Sequence, residues 1–261
     1  MSPEKIIKAQ ARDLMKKNYF AVIAGFFILV IALAILDFFN NGVVLTIYNM
    51  LIGDAFNLKK ILFVFLRCAL TIITFLIISP MFTGYIRLYY NAALTGNYDI
   101  NDVFYYFTNK HYKKAFKLNL LFLLIIMIPL LIAFLIPNTF IVLANKFLPD
   151  SFTESIWFYD IVFLLTVFAI LLLVLYMIKY FCVYTMFIEH PDMPSKEYFS
   201  YSKKIMHNNT KKVRDLIFSF TPWLLLCLTI LPLIYVVPYI TQSLCISSKW
   251  LNNLYKEEIK T

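Results

Sequence analysis

An all-α, polytopic integral membrane fold is what this chain predicts, with about six transmembrane helices and two amphipathic helices at the cytoplasmic face. Three observations carry that expectation. Of 261 residues, 61% are hydrophobic and only 15% charged, whereas ordinary soluble domains are roughly 45–50% apolar and about 25% charged. Apolar runs follow one another from Tyr19 to Ser248, and about 20 apolar residues suffice to cross a hydrocarbon core of about 30 Å. Lys and Arg fall almost entirely in alternate gaps between those runs. The composition excludes a water-soluble fold, and the charge pattern sets an orientation. Only five glycines and no Gly/Ser linker occur, so residues 1–261 read as one membrane domain.

The first span is expected at about 19–37. Ala32-Leu33-Ala34 behind a basic start imitates a signal-peptide cleavage site. The apolar segment, however, runs well past a signal peptide's usual core of about 7–15 residues, so a retained span is the better reading. The second span is expected at about 61–85, continuing as helix to about 94. The third is expected at about 116–136, kinked at Pro129. The fourth, about 156–180, can run on to 188 because no breaker precedes Pro191. The last apolar stretch divides near Leu231-Pro232 into about 213–231 and 233–250, the final piece either spanning or lying at the interface.

The N-terminal segment holds five basic residues, 86–117 five more, and 179–215 seven. The opposite gaps carry Lys59, Lys60 and Lys146 beside Asp54, Asp150 and Glu154. Cytoplasmic loops retain positive charge, so the N-terminus is expected inside. The tail from Lys249, with three Lys and two Glu, decides nothing. Arg67 lies 20 residues before Arg87, and Asp160 lies 19 before Lys179. At about 1.5 Å per residue, each pair is separated by about one hydrocarbon thickness.

The middle of the chain reads as two similar units, each a span inward, an amphipathic helix, a basic turn and a span outward. In the first, Asn101 is expected to cap a helix through Val103, Phe104, Phe107 and His111 before Lys113-Lys114. In the second, Ser195 caps a helix carrying Tyr198, Phe199, Ile205 and Met206 before Lys211-Lys212. Such helices would lie in the inner interface with lysines toward anionic headgroups, each nearby lysine contributing about 1 kcal/mol. Lys113, Lys114, Lys203, Lys204, Lys211 and Lys212 are the candidate inner-interface contacts, although basic loops and belt aromatics also simply mark topology in most membrane proteins.

Asp37, Arg67 and Asp160 form a candidate polar cluster at one outer depth. Intramembrane charges pair with one another or line a path, or they snorkel separately to the surface. Thr241, Gln242, Ser243, Ser247 and Ser248 must face protein or water if their segment spans, and bonding between helices is the commoner use. Cys68, Cys182, Cys227 and Cys245 lie singly in apolar runs without a C-x-x-C, which suits buried small side chains and neither a zinc nor a redox site.

Enzyme chemistry finds little here. His111, His190 and His207 all fall in segments expected to be cytoplasmic. There is no H-E-x-x-H, nucleophile elbow, P-loop or dinucleotide fingerprint, and no metal or other cofactor is implied. The net charge of +9 is concentrated beside the membrane, so nucleic acid is a poor partner.

Ser202-Lys203-Lys204-Ile205-Met206, then Ser219-Phe220 with Trp223-Leu224-Leu225, then Pro238-Tyr239, resemble the bacterial integral-membrane family named domain of unknown function nine-seven-five. That family shows a Ser-Lys-Lys-Leu-Met run, a Ser-Phe-Ile-Gly-Trp motif and a later Pro-Tyr in this order. A looser resemblance extends upstream to Gly84-Tyr85 and residues 12–19. Asn208-Asn209 stands where the family usually has Gly, and Thr221-Pro222 replaces Ile-Gly; Pro222 suits the first turn of a helix. The resemblance implies a bacterial origin and about six helices with the Pro-Tyr segment in the last. It brings no activity and no functional residues.

The function expected is that of a non-enzymatic accessory component of an envelope or export system. It would sit in the bacterial cytoplasmic membrane and bind anionic headgroups or another membrane protein through 104–117 and 198–212. The alternative is a small-solute or ion transporter with a path near Arg67 and Gln242.

Overall fold

The computed structural model describes residues 3–51, 57–108, 111–153, 155–227, 229 and 231–258. Asp54, Lys110, Glu154 and Lys260 lie outside them, as do the side chains of Lys59, Lys60, Cys68 and Asp150. Of the described residues 89% are helical and none is in a strand, so the chain is all-α.

α1 (Pro3–Lys17) opens with a proline at its first position, where no amide hydrogen is needed. Its buried side chains, Ile7, Ala11 and Met15, recur every four residues along one face. α2 (Tyr19–Leu51) and α3 (Asn57–Thr95) follow. α3 ends at Gly96, whose φ of 83° only glycine adopts without penalty, and the Gly96 amide closes on Ala92 O at 2.9 Å. α4 (Asn101–Thr108), α5 (Tyr112–Phe147), α6 (Asp150–Thr153) and α7 (Ile156–Met177) come next. α7 tightens into a 3-10 turn at Ile178–Tyr180 and resumes as α8 (Val183–Glu189). α9 (Ser195–His207), α10 (Thr210–Phe218), α11 (Thr221–Leu226) and α12 (Leu233–Glu258) complete the chain.

Among the described residues, four helical stretches are long and apolar enough to cross a membrane: Tyr19–Phe38, Ala69–Thr95, Tyr112–Phe147 and Ile156–Glu189. The first two run antiparallel, with the Tyr89 hydroxyl donating to Val22 O at 3.3 Å. α5 pairs with α7, where the Phe140 and Phe158 rings stack at 5.9 Å. The two pairs meet where α3 ends and α5 begins, through Asn119 donating to Thr83 at 3.0 Å. That end of the molecule, the basal end, also gathers α1, α4, α8, α9 and α12.

Burial is concentrated there. One apolar cluster joins α1, α2, the second half of α3 and α12; a second joins α4, the start of α5, α8, α9 and α10. Away from the base, packing thins: in the most apolar window of α5 only 6% of residues are buried, and in that of α7 to α8 only 11%.

Residues 213–231 do not form one helix. α10 and α11 hold nine and six residues, and the chain turns back into α12. Lys212 lies over the Trp250 ring at 5.1 Å, and Phe220 and Trp223 each pack against Tyr239 at 5.7 Å, so α10–α11 and α12 form an antiparallel hairpin. Pro222 occupies the first turn of α11, as its chemistry suggested. Pro238-Tyr239 falls in the last helix.

The two expected capping residues act differently. Asn101 begins α4, but its own amide donates to Asp99 Oδ1 at 3.0 Å, so the preceding aspartate supplies the side-chain acceptor. Ser195 is already helical; Pro194 takes the cap position without a side-chain bond.

Candidate functional site

At the basal end, polar side chains from α3, from the turn that follows it and from α8 are brought together along α12. α12 enters with an apolar turn and then presents Gln242, Ser243, Ser247, Ser248 and Asn252, all buried. Gln242 Oε1 accepts from the Tyr98 hydroxyl at 2.8 Å. The Ser248 and Thr185 hydroxyls meet at 2.5 Å, joining α12 to α8. Ser243 and Thr241 donate to carbonyls one turn back, Tyr239 O and Val237 O, at 2.8 and 2.9 Å. Lys249 donates to Ala93 O at 2.6 Å, at the end of α3. Lys256 pairs with Glu189 at 2.9 Å, and Glu189 also accepts from the buried Tyr90 hydroxyl. Gln242, Ser248, Lys249 and Lys256 thus tie α12 to its neighbours, while Thr241 and Ser243 bond within the helix. Among the described residues, Gln242 Nε2 and both amide atoms of Asn252 are buried without a partner.

α4 is fastened by a second network. Arg87 Nε donates to Asp102 Oδ1 at 2.9 Å, Asn91 donates to Asp102 Oδ2 at 2.8 Å, and the guanidinium lies 3.6 Å from the Tyr105 ring centre. Val103 and Tyr106 form the buried face of α4, while Phe104 and Phe107 are exposed at 42%. On α9 the expected face is the buried one: Tyr198, Phe199, Ile205 and Met206 are all inside the second apolar cluster. The Tyr198 hydroxyl donates to His190 O at 2.6 Å, and burial pushes its pKa up to about 12.

The candidate lysines ring this end. Lys113, Lys203, Lys204 and Lys211 are exposed. Lys203 lies 5.4 Å over the Tyr180 ring and Lys204 5.6 Å over Tyr201. Lys114 donates to Pro191 O at 3.1 Å and to Asp192 at 2.8 Å, tying the start of α5 to the turn before α9. That hydrogen bond and the lysine charge hold the Asp192 carboxyl below its ordinary pKa. Lys212 donates to Asn209 at 2.9 Å. On α1, Lys8 donates to Ser219 O at 2.8 Å and lies over the Phe220 ring, and partial burial lowers its pKa.

Asp37 lies in the middle of α2, Arg67 in the first half of α3 and Asp160 in the first turns of α7, each exposed. Asp37 accepts from Asn41 at 3.0 Å, and Arg67 carries the Thr71 hydroxyl on its carbonyl. Among the described residues no ion pair joins the three. For Asp160 the helix pairing explains this, since α7 packs on α5 rather than on α2 or α3.

Two small cavities sit within the base. One of 210 Å³ is walled by Phe82, Tyr85, Tyr184, Leu244 and Cys245, with Thr185 and Ser248 at one side. One of 190 Å³ is bounded by Met186, His190, Met193, Asn252 and Lys256. Among the described residues no group of three or more His, Cys, Asp or Glu is placed to hold a metal ion. Cys182 and Cys245 are buried and Cys227 half-buried, all free thiols.

Sequence reasoning did not find the Arg87–Asp102–Asn91, Thr83–Asn119–Tyr184 or Tyr90–Glu189–Lys256 groups. Thr83 and Asn119 were visible as isolated polar residues in apolar runs, but nothing in a linear pattern pairs them.

No curated protein and no solved structure matches this chain. The family model described as "Protein of unknown function (DUF975)" matches residues 1–252, and the chain belongs to that family.

Proposed function

We propose that this chain is a non-enzymatic protein of the bacterial cytoplasmic membrane whose basal end faces the cytoplasm and docks on anionic headgroups, serving an envelope or export system. The observation that carries the reading is the division of the molecule. Packing and buried polar groups are gathered at one end beneath exposed Lys113, Lys203, Lys204 and Lys211, whereas the apolar surfaces of α5 and α7 stand largely unpacked by protein. Hydrocarbon is the solvent such surfaces suit.

In this reading α2, α3, α5 and α7 cross, and the α10–α12 hairpin dips into the bilayer. Leu224, Leu225, Leu226 and Leu231, exposed at 52% to 81%, lie near its tip. α10 and α11 are about 13 and 9 Å long, each too short to cross alone. Both arms of the hairpin return to the base, which puts the end of α12 on the same side as α1; six spans result only if the hairpin crosses, and four if it merely enters. The amphipathic helices α4 and α9 use their apolar faces chiefly against other helices, and Phe104 and Phe107 are left to anchor α4 at the interface.

The test is substitution of Lys113, Lys203, Lys204 and Lys211 together by glutamine. The expected outcome is a severalfold loss of phosphatidylglycerol and cardiolipin co-purifying with the folded chain, with Arg67→Leu leaving retention unchanged. Equal retention by the folded quadruple variant would sink the reading.

A further inference from the structure

We propose that the groove between α1 and α12 is a binding site for a phosphoryl anion, carried by a lipid headgroup or free in solution. The inference deepens the docking reading above and rests on its orientation. At 450 Å³ the groove is roomier than the two basal cavities, and it is bounded by Gln10, Asp13 and Lys17 of α1 and Lys249, Trp250 and Asn253 of α12.

Lys249 is the centre of the argument. Its side chain is half-buried and its ammonium is held by Ala93 O at 2.6 Å. A carbonyl solvates a cation without neutralising it, and among the described residues no carboxylate forms an ion pair with Lys249. A charge partly withdrawn from water and held only by a carbonyl attracts a counter-ion. Lys17, in the last turn of α1, also forms no ion pair among the described residues, and Lys212, which donates to Asn209, lies 5.1 Å over the Trp250 ring. Asp13 reduces the excess, which suits a singly or doubly charged group rather than a polyphosphate. Gln10 and Asn253 add amide donors, which phosphoryl oxygens accept. Trp250, 37% exposed, offers a ring of the kind that settles at headgroup depth.

A chain bearing Trp157→Phe and Trp223→Phe keeps Trp250 as its one tryptophan and reports on the groove. In neutral maltoside micelles it would be titrated with dioctanoyl phosphatidylglycerol, dioctanoyl phosphatidylcholine and inorganic phosphate. The expected result is a saturable change in Trp250 emission with phosphatidylglycerol, at least about tenfold weaker with phosphatidylcholine. Lys17→Gln and Lys249→Gln each weaken it about tenfold, while Lys249→Arg preserves it. Inorganic phosphate that saturates the same signal and competes with the lipid identifies free phosphate as a ligand; phosphate without effect assigns the site to headgroups. Both outcomes support the site. Absence of any saturable response overturns it, as does a response equal for the two lipids and indifferent to Lys17→Gln. Because Lys17 is exposed, its variant decides if Lys249→Gln does not fold. Loss of the Trp250 response alongside lysine-dependent lipid retention would remove this site and leave the docking reading intact. The converse pattern would keep the site and remove that reading.

Discussion

Arg87 and Asp102 are joined at 2.9 Å with side chains only 20% and 12% exposed, and Asn91 completes the carboxylate's shell. Removing one member of such a pair costs more than the pair contributes, because the other charge is left without compensation. Arg87→Gln is therefore expected to lower stability by about 3 kcal/mol. Adding Asp102→Asn should recover a large part of the loss, since no charge is then stranded. Equilibrium unfolding of the full chain in mixed micelles measures Arg87→Gln, Asp102→Asn and the double variant, and losses that simply add would show that the pair is not coupled. Arg87 was visible in the sequence as an inner boundary marker. Its partner was not, because Asp102 lies beyond the end of α3 and reaches Arg87 only when α4 folds back.

Helix contacts within a bilayer gain little from the hydrophobic effect, so close approach and shape decide them. Gly84 illustrates this for α3 and α4. A Cβ at that position would meet the Val103 carbonyl group and lie 2.8 Å from Asp102 O, all backbone atoms that cannot swing aside. A Cβ at Gly25 would meet only Leu88 Cδ2, at 2.5 Å, the end of a flexible side chain. Gly84→Ala is expected to cost about 2 kcal/mol or more and to expose α4 to protease. Gly25→Ala should fall within about 1 kcal/mol of the parent, helix propensity offsetting the rotamer shift. Similar melting temperatures for the two variants would contradict the close α3–α4 approach. Four of the six spans read from apolar runs, at about 19–37, 61–85, 116–136 and 156–180, fall in α2, α3, α5 and α7, because run length alone defines a helix long enough to cross. The α10–α11 break left no comparable mark, since Ser219-Phe220-Thr221 interrupts neither the apolar run nor its composition.

For the whole molecule, the α10–α12 hairpin brings Asn253 to the end that holds α1. Cysteines placed at exposed Lys5, Asn145 and Asn253, in a chain whose four native cysteines are replaced, would be labelled in intact cells with an impermeant reagent. Labelling at Asn145 alone is expected. Labelling at Asn253 but not Lys5 would mean that the last helix emerges on the opposite side, which would remove both the cytoplasmic base and the groove site that depends on it.

By itself the sequence determined that the fold is all-α, placed four of its six expected spans on helices long and apolar enough to cross a membrane, and identified the family, because composition, run length and ordered motifs are linear properties. It also identified the apolar face of α9, where Tyr198, Phe199, Ile205 and Met206 recur at helical spacing, but expected that face on the membrane interface, whereas the structure buries it against other helices. Only the tertiary structure decided which polar residues meet. Tyr98 reaches Gln242 across 144 positions and Lys8 reaches Ser219 across 211. Asp37, Arg67 and Asp160, aligned in depth by counting residues, form no ion pair with one another among the described residues. A linear pattern fixes the depth of a side chain along its helix axis, whereas its neighbour depends on how the helices rotate and cross, and that is set by close contacts such as Gly84 against Val103.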